Sequence, residues 1–84
     1  MEPYRIMELK PDALLTRKTT AEALTAAGFP VKVGTLATKA TRGGGPPYQL
    51  FGKKPLYRWA DALAWAHSRL SQLRRSTSER NAPS

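Results

Sequence analysis

The 84-residue chain has no cysteine, which excludes a disulfide framework and any thiolate metal site and fits a reducing compartment. It has one histidine, His67. Helical geometry sends His67 and Asp61 to different faces, and no Ser-His-Asp set, carboxylate pair or metal-ligand cluster can be assembled around it. The expectation is therefore a non-enzyme without metal or cofactor, with His67 as a surface or half-buried structural residue. No apolar run approaches the roughly 18–20 residues of a membrane span, and no signal-peptide h-region opens the chain, so a cytoplasmic location without membrane contact is expected.

The most informative absence is of acid. Between Lys32 and Arg58 there is no Asp or Glu, while Lys32, Lys39, Arg42, Lys53, Lys54 and Arg58 are all basic. Residues 1–31 balance Arg5, Lys10, Arg17 and Lys18 against Glu2, Glu8, Asp12 and Glu22. Most of the formal net charge of +8 therefore falls on one central stretch. A concentration of one sign on a short unit is what gripping a polyanion requires. A chain of this length forms one small domain, burying only roughly 60–65% of its unfolded surface.

Residues 1–13 show no period, and Pro3 and Pro11 oppose a helix. They read as an irregular arm in which Tyr4 and Ile6 lie along the core. Leu14-Leu15-Thr16 reads as a very short strand. Thr19 stands three residues before Glu22, a capping-box spacing, and predicts a first helix over Thr20–Ala27 with Leu24 and Ala27 inward and Phe29 behind. Gly28 and Pro30 stop it. A second helix follows from about Val33, where Val33, Leu36, Ala37 and Ala40 form one apolar stripe. Its other face carries Thr35, Thr38, Lys39 and Arg42, side chains suited to base edges and phosphates. Two helices joined by a few residues have the spacing of a helix-turn-helix. Gly34 costs roughly 1 kcal/mol against Ala inside a helix, but in the first turn it lets a phosphate reach backbone N–H groups.

Gly43-Gly44-Gly45-Pro46-Pro47 ends that helix and reads as a connector, because no Lys-Ser/Thr follows to make a phosphate loop. Tyr48–Phe51 and Leu56–Arg58 flank Gly52-Lys53-Lys54-Pro55 and predict a hairpin, with Pro55 confining its strand to an edge or to pairing only beyond it. Lys53 and Lys54 also suit a guarded edge. The longest helix is expected from Asp61 to about Arg75, with Ala62, Leu63, Trp65, Ala66, Leu70 and Leu73 in an apolar band and Trp65 in the core. Ser76 to Ser84 is expected to be a disordered tail.

Taken in order, Leu14-Leu15-Thr16 before an Ala-Glu-Ala-Leu helix, Thr35-Leu36, Arg42 with its glycines, Pro46-Pro47-Tyr48, Gly52-Lys53-Lys54, Leu56-Tyr57-Arg58, and Asp61 with Trp65 are similar to the excisionase-type members of the MerR-like winged-helix superfamily. The resemblance covers Leu14 to about Leu70. It implies a mainly α fold with a small β-hairpin wing, a winged helix-turn-helix over residues 14–75 whose second helix enters the major groove. Lys32, Gly34, Thr35, Thr38, Lys39 and Arg42 would act from that helix, and Lys53, Lys54 and Arg58 from a wing along the minor groove. Arg17, Lys18 and Thr19 are further candidates for phosphate contact. Lys32 stands where a Ser or Thr cap is expected, Leu50 replaces a commonly basic wing residue, and Pro55 shortens the return strand.

Relatives of this kind are small accessory proteins of mobile elements, some steering an integrase toward excision and others regulating transcription. The expected function is thus sequence-specific binding of double-stranded DNA as a recombination directionality factor. It would fill tandem sites cooperatively, bend the DNA, and partner a site-specific integrase. Leu70, Leu73, Arg74 and Arg75 are the candidate contacts between protomers. A transcriptional regulator of the same fold is the alternative. A protein-interaction module is the competing class, and a double-stranded RNA binder is disfavoured by the narrow A-form major groove.

Overall fold

The computed structural model describes residues 9–75. The expected core contacts of Tyr4 and Ile6, and the tail over 76–84, lie outside the described residues. Six elements follow in order: β1 (Leu14–Thr16), α1 (Arg17–Ala26), α2 (Val33–Arg42), β2 (Gln49–Phe51), β3 (Lys54–Arg58) and α3 (Trp59–Ser68). They form a mixed α/β unit of three helices and one antiparallel sheet of order β1-β3-β2. The short strand at Leu14–Thr16 does more than the sequence suggested, because it turns a two-stranded hairpin into a three-stranded sheet.

Of the two expectations for Pro55, an edge strand is not found, but toward β1 the strand pairs only beyond the proline. That residue lies in β3, between both other strands, opposite Leu50. The position is tolerated because β1 stops at Thr16, which pairs with Leu56, so no strand flanks Pro55 on that side. Toward β2 the two-residue turn closes on the Phe51–Lys54 pair. The next pair, Leu50–Pro55, falls where an antiparallel ladder needs no donor. Gly52 has φ +65° at the first central position of that turn, as a type II′ hairpin demands.

α1 begins three residues before its expected start. Thr16, not Thr19, is the N-cap, and its side-chain oxygen accepts the Thr19 N–H at 3.1 Å. Thr16 ends β1 in extended backbone and so meets the conformational requirement of a cap without an intervening loop. At the other end the Gly28 N–H donates to the Thr25 carbonyl at 3.1 Å and the Phe29 N–H to the Leu24 carbonyl at 2.8 Å. With Gly28 at φ +106° this is a Schellman stop, as the sequence indicates.

α3 also starts early and ends early. Its first N–H groups find carbonyls outside the helix: Trp59 donates to Ala13 at 2.9 Å and Ala60 to Pro11 at 2.8 Å. Residues 11–13 therefore cap α3 through their backbone, and Leu9 and Ala13 pack on the core. The helix closes at Ser68, not Arg75. Leu70 and Leu73 are exposed, at 61% and 101%, so no packing favours helix beyond Ala66, the last buried residue among those described.

Leu15, Ala23, Leu24, Trp59, Ala62 and Ala66 make the buried cluster, with Ala27, Phe29, Val31, Leu63 and Trp65 packed against it. Leu24 faces inward as expected, and Ala27 and Phe29 cover its edge. Replacing Thr16 by Ala is expected to lower stability by about 1 kcal/mol, whereas Thr19→Ala loses no cap and costs well under that. Urea unfolding of the two variants decides which threonine holds the helix.

Candidate nucleic-acid interface

α2 packs on α1 through Leu36, which is fully buried, while Ala37 and Ala40 are half-buried beside it. Val33, expected in the same stripe, is 46% exposed and borders an open hollow shared with Ala21 and Thr25 of α1. Gly34, Thr35, Thr38, Thr41 and Arg42 face solvent. Thr41 was absent from the sequence-derived set, although its spacing from Gly34 and Thr38 is that of one helix face. Its hydroxyl donates to the Ala37 carbonyl at 3.3 Å, so the oxygen can still accept a bond on this exposed face.

Lys39 is placed differently from the expectation that it projects with Thr38. It is half-buried, and a Cβ built on Gly45 would meet the Lys39 Cβ at 3.0 Å. With Thr35 it borders a hollow of about 250 Å³ whose other walls include Phe29, Trp65 and Arg69. The stem of Lys39 thus lies along apolar surface, as long cationic side chains commonly do.

The reason is the triple-glycine segment, which is a fitted part and not a plain connector. Gly43 caps α2 with its N–H on the Lys39 carbonyl at 2.6 Å. The Trp65 indole N–H donates to the Gly44 carbonyl at 2.8 Å, tying the loop to α3. Gly45 passes the helix so closely that a Cβ there would sit 3.0 Å from the Lys39 Cβ and push it aside. Trp65, expected as core, is half-buried and spends its polar edge on this contact.

At its N-terminus α2 lacks a side-chain cap, because Lys32 occupies that position. The Thr35 and Leu36 N–H groups bond the Lys32 carbonyl at 3.0 and 3.2 Å. The Val33 and Gly34 N–H groups precede them and have no place in the helical ladder. Nothing lies within 4 Å of a Cβ added to Gly34, so this end of the helix is open.

The second basic element is the β2–β3 hairpin. Lys53 and Lys54 are exposed at its tip. Arg58, at the far end of β3, is 3.9 Å from Asp61, a surface pair of low value that leaves the guanidinium accessible. Lys32, Lys39, Arg42, Lys53 and Lys54 meet no carboxylate among the described residues.

The three candidates at the start of α1 separate. Lys18 is exposed, while Thr19 is held by the Thr16 hydroxyl at 3.0 Å. Arg17 Nε donates to the Tyr57 hydroxyl at 2.9 Å, and its guanidinium lies 5.8 Å from the ring centres of both Tyr48 and Tyr57. This anchoring role was not legible in the charge pattern. Leu70, Leu73, Arg74 and Arg75 lie exposed beyond α3. His67 stands in solvent, with its ring 5.0 Å from Phe29 in an edge-on contact.

No helix among the described residues is long and apolar enough to cross a membrane, and none of their His, Asp and Glu side chains form a group of three or more that could hold a metal. No family model matches the chain, and no curated protein or solved structure matches it either.

Trp65→Phe keeps the ring but deletes the donor to Gly44. It is expected to cost about 0.5–1.5 kcal/mol and to speed amide exchange at Gly43 through Lys39, whereas an unchanged exchange pattern would show that the indole does not fix the loop.

Proposed function

We propose that this chain is a double-stranded DNA-binding protein of winged helix-turn-helix type, with α2 in the major groove and the β2–β3 hairpin as a wing along the minor groove. The observation that carries the reading is the acid-free run from Lys32 to Arg58, which folds into two exposed basic elements held on one small body. α2 is supported by α1, and the hairpin is supported through β3 by β1, α1 and α3. A helix and a two-stranded ribbon are the two shapes that enter or border the grooves of B-form DNA.

In this reading the uncapped start of α2 takes a phosphate on the Val33 and Gly34 N–H groups, with Lys32 beside it. Thr38 and Thr41 present methyl and hydroxyl groups to base edges, Arg42 and Thr35 flank them, and Lys39 reaches a phosphate from its half-buried stem. Lys53, Lys54 and Arg58 follow the backbone at the wing, and Lys18 adds an outlying contact.

One helix and one wing cover only a handful of base pairs, too few to select a genomic site alone. We place the protein among accessory factors that fill tandem sites side by side, bend the DNA and steer a site-specific integrase toward excision. Exposed Leu70 and Leu73, with Arg74 and Arg75, supply the contact between neighbouring protomers. A transcriptional regulator would use the same DNA contacts at a promoter. Exposure of both leucines beyond α3 favours a protein-contact role for that segment in either case.

Binding to duplex should fall steeply with salt, with a log–log slope of roughly −4 to −5 for about five phosphate contacts. Anisotropy titrations across salt concentrations measure it, and a slope near zero excludes the reading. Gly34→Ala provides a sharper contrast. Helix propensity should raise stability by about 0.5–1 kcal/mol, since a Cβ there meets nothing. The same methyl should weaken duplex binding by obstructing the phosphate. A variant that is more stable and binds equally well would remove α2's first turn from the interface.

A further inference from the structure

Leu50 occupies the wing position where the resemblance anticipates charge, and both it and the neighbouring Phe51 stand in water. Phe51 is 76% exposed and Leu50 64%. Among large apolar residues on the helices and strands, Phe51 is the most exposed. The register explains why neither is covered. β1 pairs with β3 only from Leu56 onward, so residues 50–55 extend beyond the three-stranded part as a two-stranded tip. Strand alternation puts Phe51 and its cross-strand partner Lys54 on one face and Leu50 with Pro55 on the other. Lys53 completes the turn between them.

An aromatic ring flanked by two uncompensated lysines on a tip two strands wide points to a polyanion with an apolar interior. Duplex DNA has that construction, with phosphates lining a minor groove about 6 Å wide and stacked bases between them. Paired strands lie about 4.8 Å apart axis to axis, so the ribbon stays at the mouth of such a groove and a side chain at its tip is what can reach in. A lipid surface also offers anions, but stable adsorption calls for a broader apolar face or a cluster of roughly 4–8 cations beside it. The remaining cations of the basic stretch sit elsewhere, Lys32, Lys39 and Arg42 on α2 and its cap and Arg58 at the far end of β3.

We propose that Phe51 is a wedge that enters the base stack from the minor groove, unstacks one step and kinks the duplex, while Lys53 and Lys54 hold the phosphates on either side. The inference rests on the DNA-binding reading and gives the bend a physical source. Pyrimidine–purine steps, which unstack most easily, are its preferred points of entry.

The test uses the full chain with a duplex of about 30 base pairs carrying TA steps. The duplex bears 2-aminopurine beside one step and a donor–acceptor dye pair at its ends. The wild type should raise 2-aminopurine emission and shorten the end-to-end distance, consistent with a kink of about 20–90°. Phe51→Ala should still bind, with affinity reduced no more than about tenfold, but leave the duplex straight and the probe quenched. Phe51→Leu should restore part of both signals, since leucine can also wedge. The exposed position means all three proteins should melt at the same temperature. Duplex binding with identical bending by wild type and Phe51→Ala overturns the wedge and leaves the DNA reading intact. Wild-type binding to phosphatidylserine vesicles but not to duplex overturns both.

Discussion

Tyr57, next to last in the middle strand, is 1% exposed, and β1, the first turn of α1 and the approach to the hairpin meet around it. Its backbone pairs with Leu15 of β1, its hydroxyl accepts a bond from Arg17 in the first turn of α1, and its ring lies 5.6 Å from Tyr48 at the entrance to the hairpin. A hydrogen bond from a charged donor contributes about 1.5–3 kcal/mol, with the lower end fitting a half-exposed arginine. For a domain whose whole stability is on the order of 5–10 kcal/mol, such a contact matters. The tie also fixes where α1 starts relative to the sheet, because Arg17 immediately follows the capping residue Thr16. Strand, cap and anchor occupy consecutive positions.

This seam allows the basic elements to protrude. Neither α2 nor the hairpin tip contributes much to the core: α2 buries Leu36 alone, and every residue of β2 is exposed. Their positions are set from behind, by α1 under α2, by β3 beside β2, and by Trp65 holding the glycine loop between them. Surfaces supported in this way can devote their side chains to a partner. The cost is mutual repulsion among Lys32, Lys39, Arg42, Lys53 and Lys54, which a polyanion would relieve.

Much of this was legible in the sequence where local chemistry decided the outcome. Gly28 with Pro30 fixed the end of α1, Leu36 marked the buried side of α2, and Gly52 announced the hairpin. What was hidden depended on distant residues. Thr19 matched a capping pattern, but Thr16 won because β1 delivers it in extended backbone. The start of α3 relied on carbonyls of Pro11 and Ala13, which no local motif signals. Its early end followed from the absence of anything to cover Leu70 and Leu73. Pro55 left two choices open, an edge strand or pairing only beyond it, and β1 takes the second by joining the strand one residue later. In the candidate interface, charge singled out α2 and the hairpin, which the fold leaves exposed, but could not orient their side chains. Lys39 turns toward Gly45, Thr41 takes a place on the open face, and Arg17 serves the fold.

The central claim is that α2 and the hairpin engage one duplex together. An amide-resolved NMR titration of the full chain with duplex DNA at low salt, on the order of 0.05 M, tests it most directly. The account predicts concerted shift changes at Val33, Gly34, Thr38 and Thr41 and at Gly52, Lys53 and Lys54, saturating at the same DNA concentration, with Ala62 and Ala66 unmoved. Changes confined to Leu70 through Arg75, or saturation of one basic element without the other, would contradict it.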